Sequence, residues 1–204
     1  MAVSNIVVDV RCVQTSNKRG QKKSGGLQHF SKLKADITEW MREDNNLDSR
    51  FTTMIDLYGL PSDFPGLCDV NMGNQDCYQV VEELERNLAA QFDEQFFVPY
   101  IQLHEFEALL LADPAKLADE FFCCEVQANR LVSVVNSFQG NPELVNDGQN
   151  TAPSKRIIAE IPAYKKAKAF LGPKVASAIG LSTLRAKCRH FNSWLIRLER
   201  LSRG

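Results

Sequence analysis

The sequence predicts an α/β protein, in which a mostly parallel sheet is flanked by helices and followed by an all-helical C-terminal extension. Short apolar runs alternate with amphipathic segments over the first half of the chain, and only helical patterns follow after residue 103. An order of strand, helix, strand implies parallel strands joined by right-handed crossovers. We therefore expect an α/β core at residues 1–112 and a helical extension packed on it at residues 113–204.

Three apolar segments are the predicted strands. In residues 5–13, "NIVVDVRCV", valines alternate onto both faces, which fits a strand covered on both sides. The second and third strands are "RFTTMIDLY" and "QFFVPYIQL", and Pro99 in the third indicates an edge strand or a bulge. Three strands make a thin sheet, because typical sheets hold about 4 to 6.

Apolar residues at helical spacing predict helices between and after these strands. The first two lie at about residues 27–42 and 78–92. The later ones are "HEFEALLLADPAKLADEFF", "EVQANRLVSVVNSFQ", a helix capped by Thr151 with Pro153 in its first turn, residues 173–179 closed by Gly180, a helix capped by Ser182, and "HFNSWLIRLERL".

Composition limits the classes of function. The 204 residues are 44% hydrophobic, which is enough for a core, and 24 Lys and Arg balance 25 Asp and Glu. No global basic field exists, so any nucleic-acid contact must come from a local patch. We expect a cytoplasmic protein without a membrane span or secretory signal. The six cysteines lack the spacing of a zinc site and are expected to be reduced.

Acidic side chains follow two of the predicted strands. Asp56 lies near the end of the second, and His104, Glu105 and Glu107 come directly after the third. Because ligands bind outside the carboxyl ends of parallel strands, we expect Asp56 and Glu105 at one rim, with Glu107 as a further candidate. Carboxylate oxygens suit Mg²⁺ better than zinc. Each residue also has an ordinary explanation: a strand-end aspartate, first-turn glutamates, and for His104, ranked first, a helix N-terminal residue.

Two basic segments are candidate contacts for phosphate. The first, "QTSNKRGQKKSGG", carries Lys18, Arg19, Lys22 and Lys23. Clustered cations beside flexible glycines suit an anion or nucleic acid, although a solvated loop is the simpler interpretation. The second, "NDGQNTAPSKR", places Lys155 and Arg156 near a predicted helix N-terminus, where N–H groups favour anions. A solvated loop explains that segment equally well.

Four blocks of the sequence together resemble a known family. They are "FTTMIDLYGLPSDFPG", "VPYIQLHEFEALLLADP", "NDGQNTAPSKRI" and "IGLSTLRAKCRHFNSWLIRLE". In this order they look like the bacterial family catalogued as domain of unknown function 4276, from about Val7 to the C-terminus. The resemblance implies a TOPRIM-like core, similar to the nuclease domains of overcoming-lysogeny-defect nucleases and of proteins encoded beside ATPases in bacterial defence operons.

The resemblance also assigns residues. TOPRIM proteins hold Mg²⁺ with a glutamate after the first strand and a later Asp-x-Asp; Asp56 matches its first aspartate, and Tyr58 stands at the second. "HEFEALL" is similar to the Glu-x-Glu element of nuclease relatives, which maps onto Glu105 and Glu107. Family members usually open with a strand and a "VEG-x-TE"-like segment. This chain begins at what would be their second strand, so the resemblance implies a sheet without that strand and glutamate.

Two functions follow as expectations. The first is a nuclease component that depends on Mg²⁺, or alternatively Mn²⁺, and cleaves nucleic-acid phosphodiesters in an ATPase-linked anti-phage system. Its catalytic metal ligands would be Asp56, Glu105 and Glu107. Its phosphate or nucleic-acid contacts would be Lys18, Arg19, Lys22, Lys23, His104, Lys155 and Arg156. The second is a non-catalytic module that binds a partner ATPase, another protein or a second copy of the chain through an open sheet edge.

Overall fold

The computed structural model describes residues 6–13, 27–44, 46–71, 73, 75–93, 95–121, 124–146 and 151–201. The strands are β1 (Phe51–Thr52), β2 (Ile55–Asp56), β3 (Phe97–Val98) and β4 (Ile101–Gln102). The helices are α1 (Phe30–Glu43), α2 (Cys77–Ala89), α3 (Glu107–Leu110), α4 (Ala115–Glu120), α5 (Glu125–Ser137), α6 (Pro153–Glu160), α7 (Tyr164–Ile179), α8 (Leu181–Lys187) and α9 (Arg189–Leu201). Single 3₁₀ turns cover Leu57–Gly59 and Pro142–Leu144.

The chain divides into two compact units. Met1–Ile101 together with Ile196–Gly204 form one, which we call the sheet unit, and Gln102–Leu195 form the other, which we call the helical unit. The predicted domain boundary after residue 112 stays a prediction, because a compact unit is not by itself an independently folding domain.

Parallel strands and a helical C-terminal region confirm the α/β class. β1 pairs with β3 in parallel, with Phe51 opposite Phe97 and Thr52 opposite Val98. β2 pairs with β4 in a second two-stranded sheet. The predicted order of strand, helix, strand thus holds for the segment that runs from β1 through α2 to β3.

The second and third predicted strands are each interrupted near the middle, so that each forms two short strands. The Thr53 hydroxyl donates to the carbonyl oxygen of Tyr100 at 3.1 Å and accepts from the Tyr100 N–H at 3.0 Å. Pro99 precedes Tyr100 and has no N–H to donate to a ladder. A side-chain hydroxyl therefore takes the place of backbone ladder bonds between the two short sheets.

The predicted strand at residues 5–13 is wrong for the part that the structure describes. Residues 6–13 have no regular secondary structure, and Val7 is 94% exposed and Val10 77% exposed. Alternating valines supply the side-chain pattern of a strand, but a strand also needs a hydrogen-bonded neighbour. No described segment provides that neighbour.

Helical periodicity correctly predicts α1 and α2, which both lie in the sheet unit. α1 buries Phe30, Leu33 and Ile37, and its first N–H donates to Asp63 Oδ1 at 2.9 Å. α2 buries the predicted stripe, which consists of Val80, Val81, Leu84 and Leu88. Amphipathic helices with one apolar face therefore supply much of the core of this unit.

Helix boundaries in the helical unit differ from the prediction in four places. The segment after β4 forms two helices, α3 and α4, and Pro114 precedes the second. The predicted helix at residues 173–179 is the second half of α7, which continues through Pro173. Thr151 and Ser182 are not caps, because Ala152 precedes α6 and Gly180 precedes α8. Gly180 has φ of 80°, a conformation open to glycine, so α8 starts directly after α7 ends.

Candidate functional site

Asp56 lies at the carboxyl end of β2, as the sequence predicts. It is half-buried, has extended backbone and precedes the 3₁₀ turn Leu57–Gly59, which its side chain does not cap. Tyr58, at the position of the second aspartate of an Asp-x-Asp motif, is 41% exposed. The strand end thus carries one carboxylate, and a tyrosine occupies the second position of the motif.

Glu105 stabilises the beginning of α6. Its Oε2 accepts the backbone N–H of Ser154, the second residue of that helix, at 2.9 Å. The N-terminal N–H groups of a helix have no partner inside it, and an anion there also meets the positive end of the helix dipole. Glu105 therefore replaces the local side-chain cap that α6 lacks.

Glu107 is buried with a counter-ion. It is the first residue of α3 and is 4% exposed. The Nζ of Lys168 lies 2.8 Å from its Oε1, and the Tyr164 hydroxyl donates to the same oxygen at 3.2 Å. Burial, followed by the Glu107 charge, raises the pKa of Tyr164, so its hydroxyl remains a donor. Two residues of α7 therefore fix the orientation of this carboxylate.

His104 is a buried residue with unusual backbone. Its φ is 59°, a left-handed conformation that few non-glycine residues adopt, and it is 5% exposed. Burial lowers the pKa of His104 to about 4, against the opposing effects of the Glu143 backbone and the Glu105 charge. A neutral, buried imidazole suits internal packing better than contact with an external phosphate.

Sequence reasoning missed Glu143. This glutamate is fully buried, and its two oxygens accept the N–H groups of His190 at 2.9 Å and Phe191 at 3.0 Å in the first turn of α9. Its own N–H donates to Asn141 Oδ1 at 3.0 Å. The Asn-Pro-Glu turn is visible in the sequence, but nothing local reveals partners 47 and 48 residues away.

The acidic residues have the right chemistry for Mg²⁺, because carboxylate oxygens are its preferred protein ligands. However, no group of three or more His, Cys, Asp or Glu side chains among the described residues is placed to hold a metal. Glu107 already carries the Lys168 ammonium, with which a cation would have to compete. The convergence of Asp56 with Glu105 and Glu107 stays a prediction.

Of the Lys and Arg residues predicted to contact phosphate, the structure describes Lys155 and Arg156. Lys155 is exposed on α6. Arg156 donates from Nε to the Thr151 carbonyl oxygen at 3.0 Å, and its guanidinium lies 5.7 Å from the centroid of the Phe138 ring. Arg156 is thus engaged within the helical unit. The four residues of the N-terminal basic segment, Lys18, Arg19, Lys22 and Lys23, lie outside the described residues.

No helix of the described ranges has both the length and the apolar character required to span a bilayer.

Comparison with known proteins gives one family. No curated protein matches the chain, and no solved structure does. The model of the family described as "Domain of unknown function (DUF4276)" matches residues 1–199. Since this match covers nearly all of the 204 residues, the chain belongs to the DUF4276 family.

Proposed function

We propose that this protein is a TOPRIM-like nuclease component that uses Mg²⁺, or Mn²⁺ in its place, to hydrolyse nucleic-acid phosphodiesters. Its setting would be an ATPase-linked bacterial defence system. The observation that carries the proposal is Asp56, a carboxylate at the end of a strand in a core with parallel strands. Ligands of α/β proteins bind at such strand ends.

Glu105 and Glu107 complete the proposed acidic set. A bound Mg²⁺ would supply an activated water and would stabilise charge on the phosphate. The residues of this chain then have separate tasks. Asp56 offers a carboxylate at a strand end, whereas Lys168 and Tyr164 hold Glu107 in one orientation. Lys155 is an exposed cation available to a phosphate.

Plasmid cleavage by the purified full-length chain with Mg²⁺ or Mn²⁺ tests this function. We expect metal-dependent cleavage that Asp56→Ala abolishes and Asp69→Ala preserves, because Asp69 is an exposed aspartate of the same sheet unit. Calorimetric titration with Mg²⁺ supplies a second readout. The proposal fails if no cleavage occurs and Asp56→Ala binds Mg²⁺ as the unaltered chain does.

A second candidate is a non-catalytic module that binds a partner ATPase. A specific observation favours it: the apolar, β-prone segment at residues 6–13 is exposed, with Val8 at 73% and Val10 at 77%. Such a segment can add to the sheet of another chain. In addition, Glu105 and Glu107 already have structural partners within the helical unit.

Light scattering of the chain, alone and mixed with the product of a neighbouring ATPase gene, tests the module. We expect a complex that Val8→Lys with Val10→Lys disrupts. The matched control is Val126→Lys with Val132→Lys, two exposed valines of α5. The candidate is contradicted if the chain is a monomer that forms no complex with the ATPase. It is also contradicted if both double variants lose the complex equally.

A further inference from the structure

The cations of this chain are concentrated in one stretch. Over the whole chain basic and acidic residues nearly balance, yet residues 151–189 contain nine Lys or Arg and a single acidic residue, Glu160. The nine are Lys155, Arg156, Lys165, Lys166, Lys168, Lys174, Arg185, Lys187 and Arg189. This stretch forms α6, α7, α8 and the start of α9. The stretch is locally basic although the total charge of the chain is near neutral.

Within this stretch, two lysines of α7 form ion pairs, and two are exposed without one among the described residues. Lys168 pairs with Glu107 at 2.8 Å and Lys174 with Glu120 at 2.6 Å, so both stabilise the helical unit. Lys165 and Lys166 are exposed, and no carboxylate among the described residues pairs with either. Their charges are therefore available to a ligand.

An aromatic ring accompanies these two lysines. Phe170 is 74% exposed and follows Lys166 by four residues, which places both on one side of the helix. The opposite side of α7 is buried through Tyr164, Val175 and Ile179. We call the exposed residues Lys165, Lys166 and Phe170 the α7 face; Lys166 and Phe170 lie on one side of the helix, and Lys165 lies about 100° around the axis from Lys166.

We propose that the α7 face binds single-stranded nucleic acid, with Lys165 and Lys166 against phosphates and Phe170 stacked on an unpaired base. Basic surfaces with exposed aromatic rings are the usual means of holding single strands, since every base offers a π face. A lipid surface fits less well, because a helix that lies on a membrane needs a broad apolar face rather than one ring. The inference rests on the proposed function for its ligand class, nucleic acid, and not on cleavage.

Fluorescence anisotropy of the full-length chain with a labelled single-stranded DNA or RNA oligonucleotide tests the inference, in EDTA so that no cleavage occurs. We expect Lys165→Glu with Lys166→Glu to raise Kd by at least about tenfold, and to reduce the slope of log K against log salt by about 1.4, or about 0.7 per lost phosphate contact. Lys32→Glu with Lys34→Glu makes the same charge change on exposed positions of α1, and should have a much smaller effect.

The ring is tested separately. Phe170→Ala should weaken binding about tenfold, Phe170→Trp should retain it, and Phe170→Leu should resemble alanine, because leucine is apolar but cannot stack. Circular dichroism confirms that each variant is folded. Equal losses in the α7 and α1 charge variants would overturn the inference. So would tighter binding to duplex than to single strand, or ring-dependent binding to anionic vesicles in preference to the oligonucleotide.

The two proposals can fail independently. If the α7 variants lose oligonucleotide binding in EDTA while no metal supports cleavage, the nuclease proposal fails and the α7 face stands. If cleavage depends on Asp56 but the α7 variants bind as the unaltered chain does, the α7 face fails and the nuclease proposal stands.

Discussion

At the scale of single residues, glutamate side chains accept backbone N–H groups in place of backbone carbonyl oxygens. Glu85 accepts the N–H of Ile101 at 2.8 Å, Glu105 that of Ser154, and Glu143 those of two residues in α9. Hydrogen bonds to a charged acceptor contribute about 1.5–3 kcal/mol each. Backbone donors therefore account for buried Glu85 and Glu143, whereas buried Glu107 contacts the Lys168 ammonium and the Tyr164 hydroxyl.

Glu143→Gln should destabilise the protein by about 1–3 kcal/mol, because an amide offers one acceptor where two backbone N–H groups need acceptors. Urea unfolding followed by circular dichroism measures the change. Glu125→Gln is the control, an exposed glutamate in the first turn of α5. Its effect should stay within about 0.5 kcal/mol. Equal effects of the two substitutions would show that the Glu143 contacts contribute little.

Cys188 should be unreactive in the folded protein. It is fully buried, and burial, reinforced by the Glu143 charge, raises the pKa of its thiol. Because the thiolate is the reactive form, Cys188 should react with a disulfide reagent at pH 8 at least about tenfold more slowly than exposed Cys68.

The readout is the number of thiols that react rapidly. Cys68→Ser should remove one fast thiol, and Cys188→Ser should remove none until denaturant is added. A fast thiol lost in Cys188→Ser would contradict the buried position.

At the scale of elements, short strands and remote caps define this fold. β1 to β4 have two residues each, and strands so short need additional bonds to hold their register. Thr53 supplies two of them to Tyr100, and Thr52 Oγ1 adds one to the Val98 carbonyl oxygen at 2.6 Å. Side-chain hydroxyls thus extend pairing that the backbone ladder leaves incomplete.

Thr53→Val should cost about 1–3 kcal/mol of unfolding free energy, because it leaves the buried N–H of Tyr100 without this acceptor. Thr52→Val makes the same chemical change one residue earlier, where a donor to the Val98 carbonyl oxygen is lost. We expect the smaller loss there. Guanidinium unfolding of both variants measures the difference, and a larger cost for Thr52→Val would contradict the role given to Thr53.

At the scale of the whole molecule, the sheet unit is built from both ends of the chain. It combines Met1–Ile101 with Ile196–Gly204. Arg197 returns to this unit and places Nη1 3.8 Å from Oε2 of buried Glu85. The last turns of α9 are therefore part of the sheet unit, and they carry the cation that lies nearest Glu85 among the ion pairs of the described residues.

Ending the chain after Leu195 should lower Tm, because it removes Arg197 from buried Glu85 together with the last turns of α9. Arg197 is half-exposed, which weakens its ion pair with Glu85. We therefore expect the free energy of unfolding to fall by roughly 1 kcal/mol or more, which corresponds to a decrease in Tm of at least about 2–4 °C. Ending the chain after Leu201 is the control and should leave Tm unchanged. Scanning calorimetry compares the two, and equal Tm values would contradict the assignment of these turns.

The sequence by itself determined the α/β class, the buried stripes of α1 and α2, the helical C-terminal region and the family resemblance that the family match confirms. These follow from periodicity and motif order, which are local properties of the chain. Only the tertiary structure decided that residues 6–13 lie without a partner strand among the described residues, and that Glu105 and Glu107 meet Ser154 and Lys168. Such contacts join residues dozens of positions apart, and no pattern in one segment specifies the other.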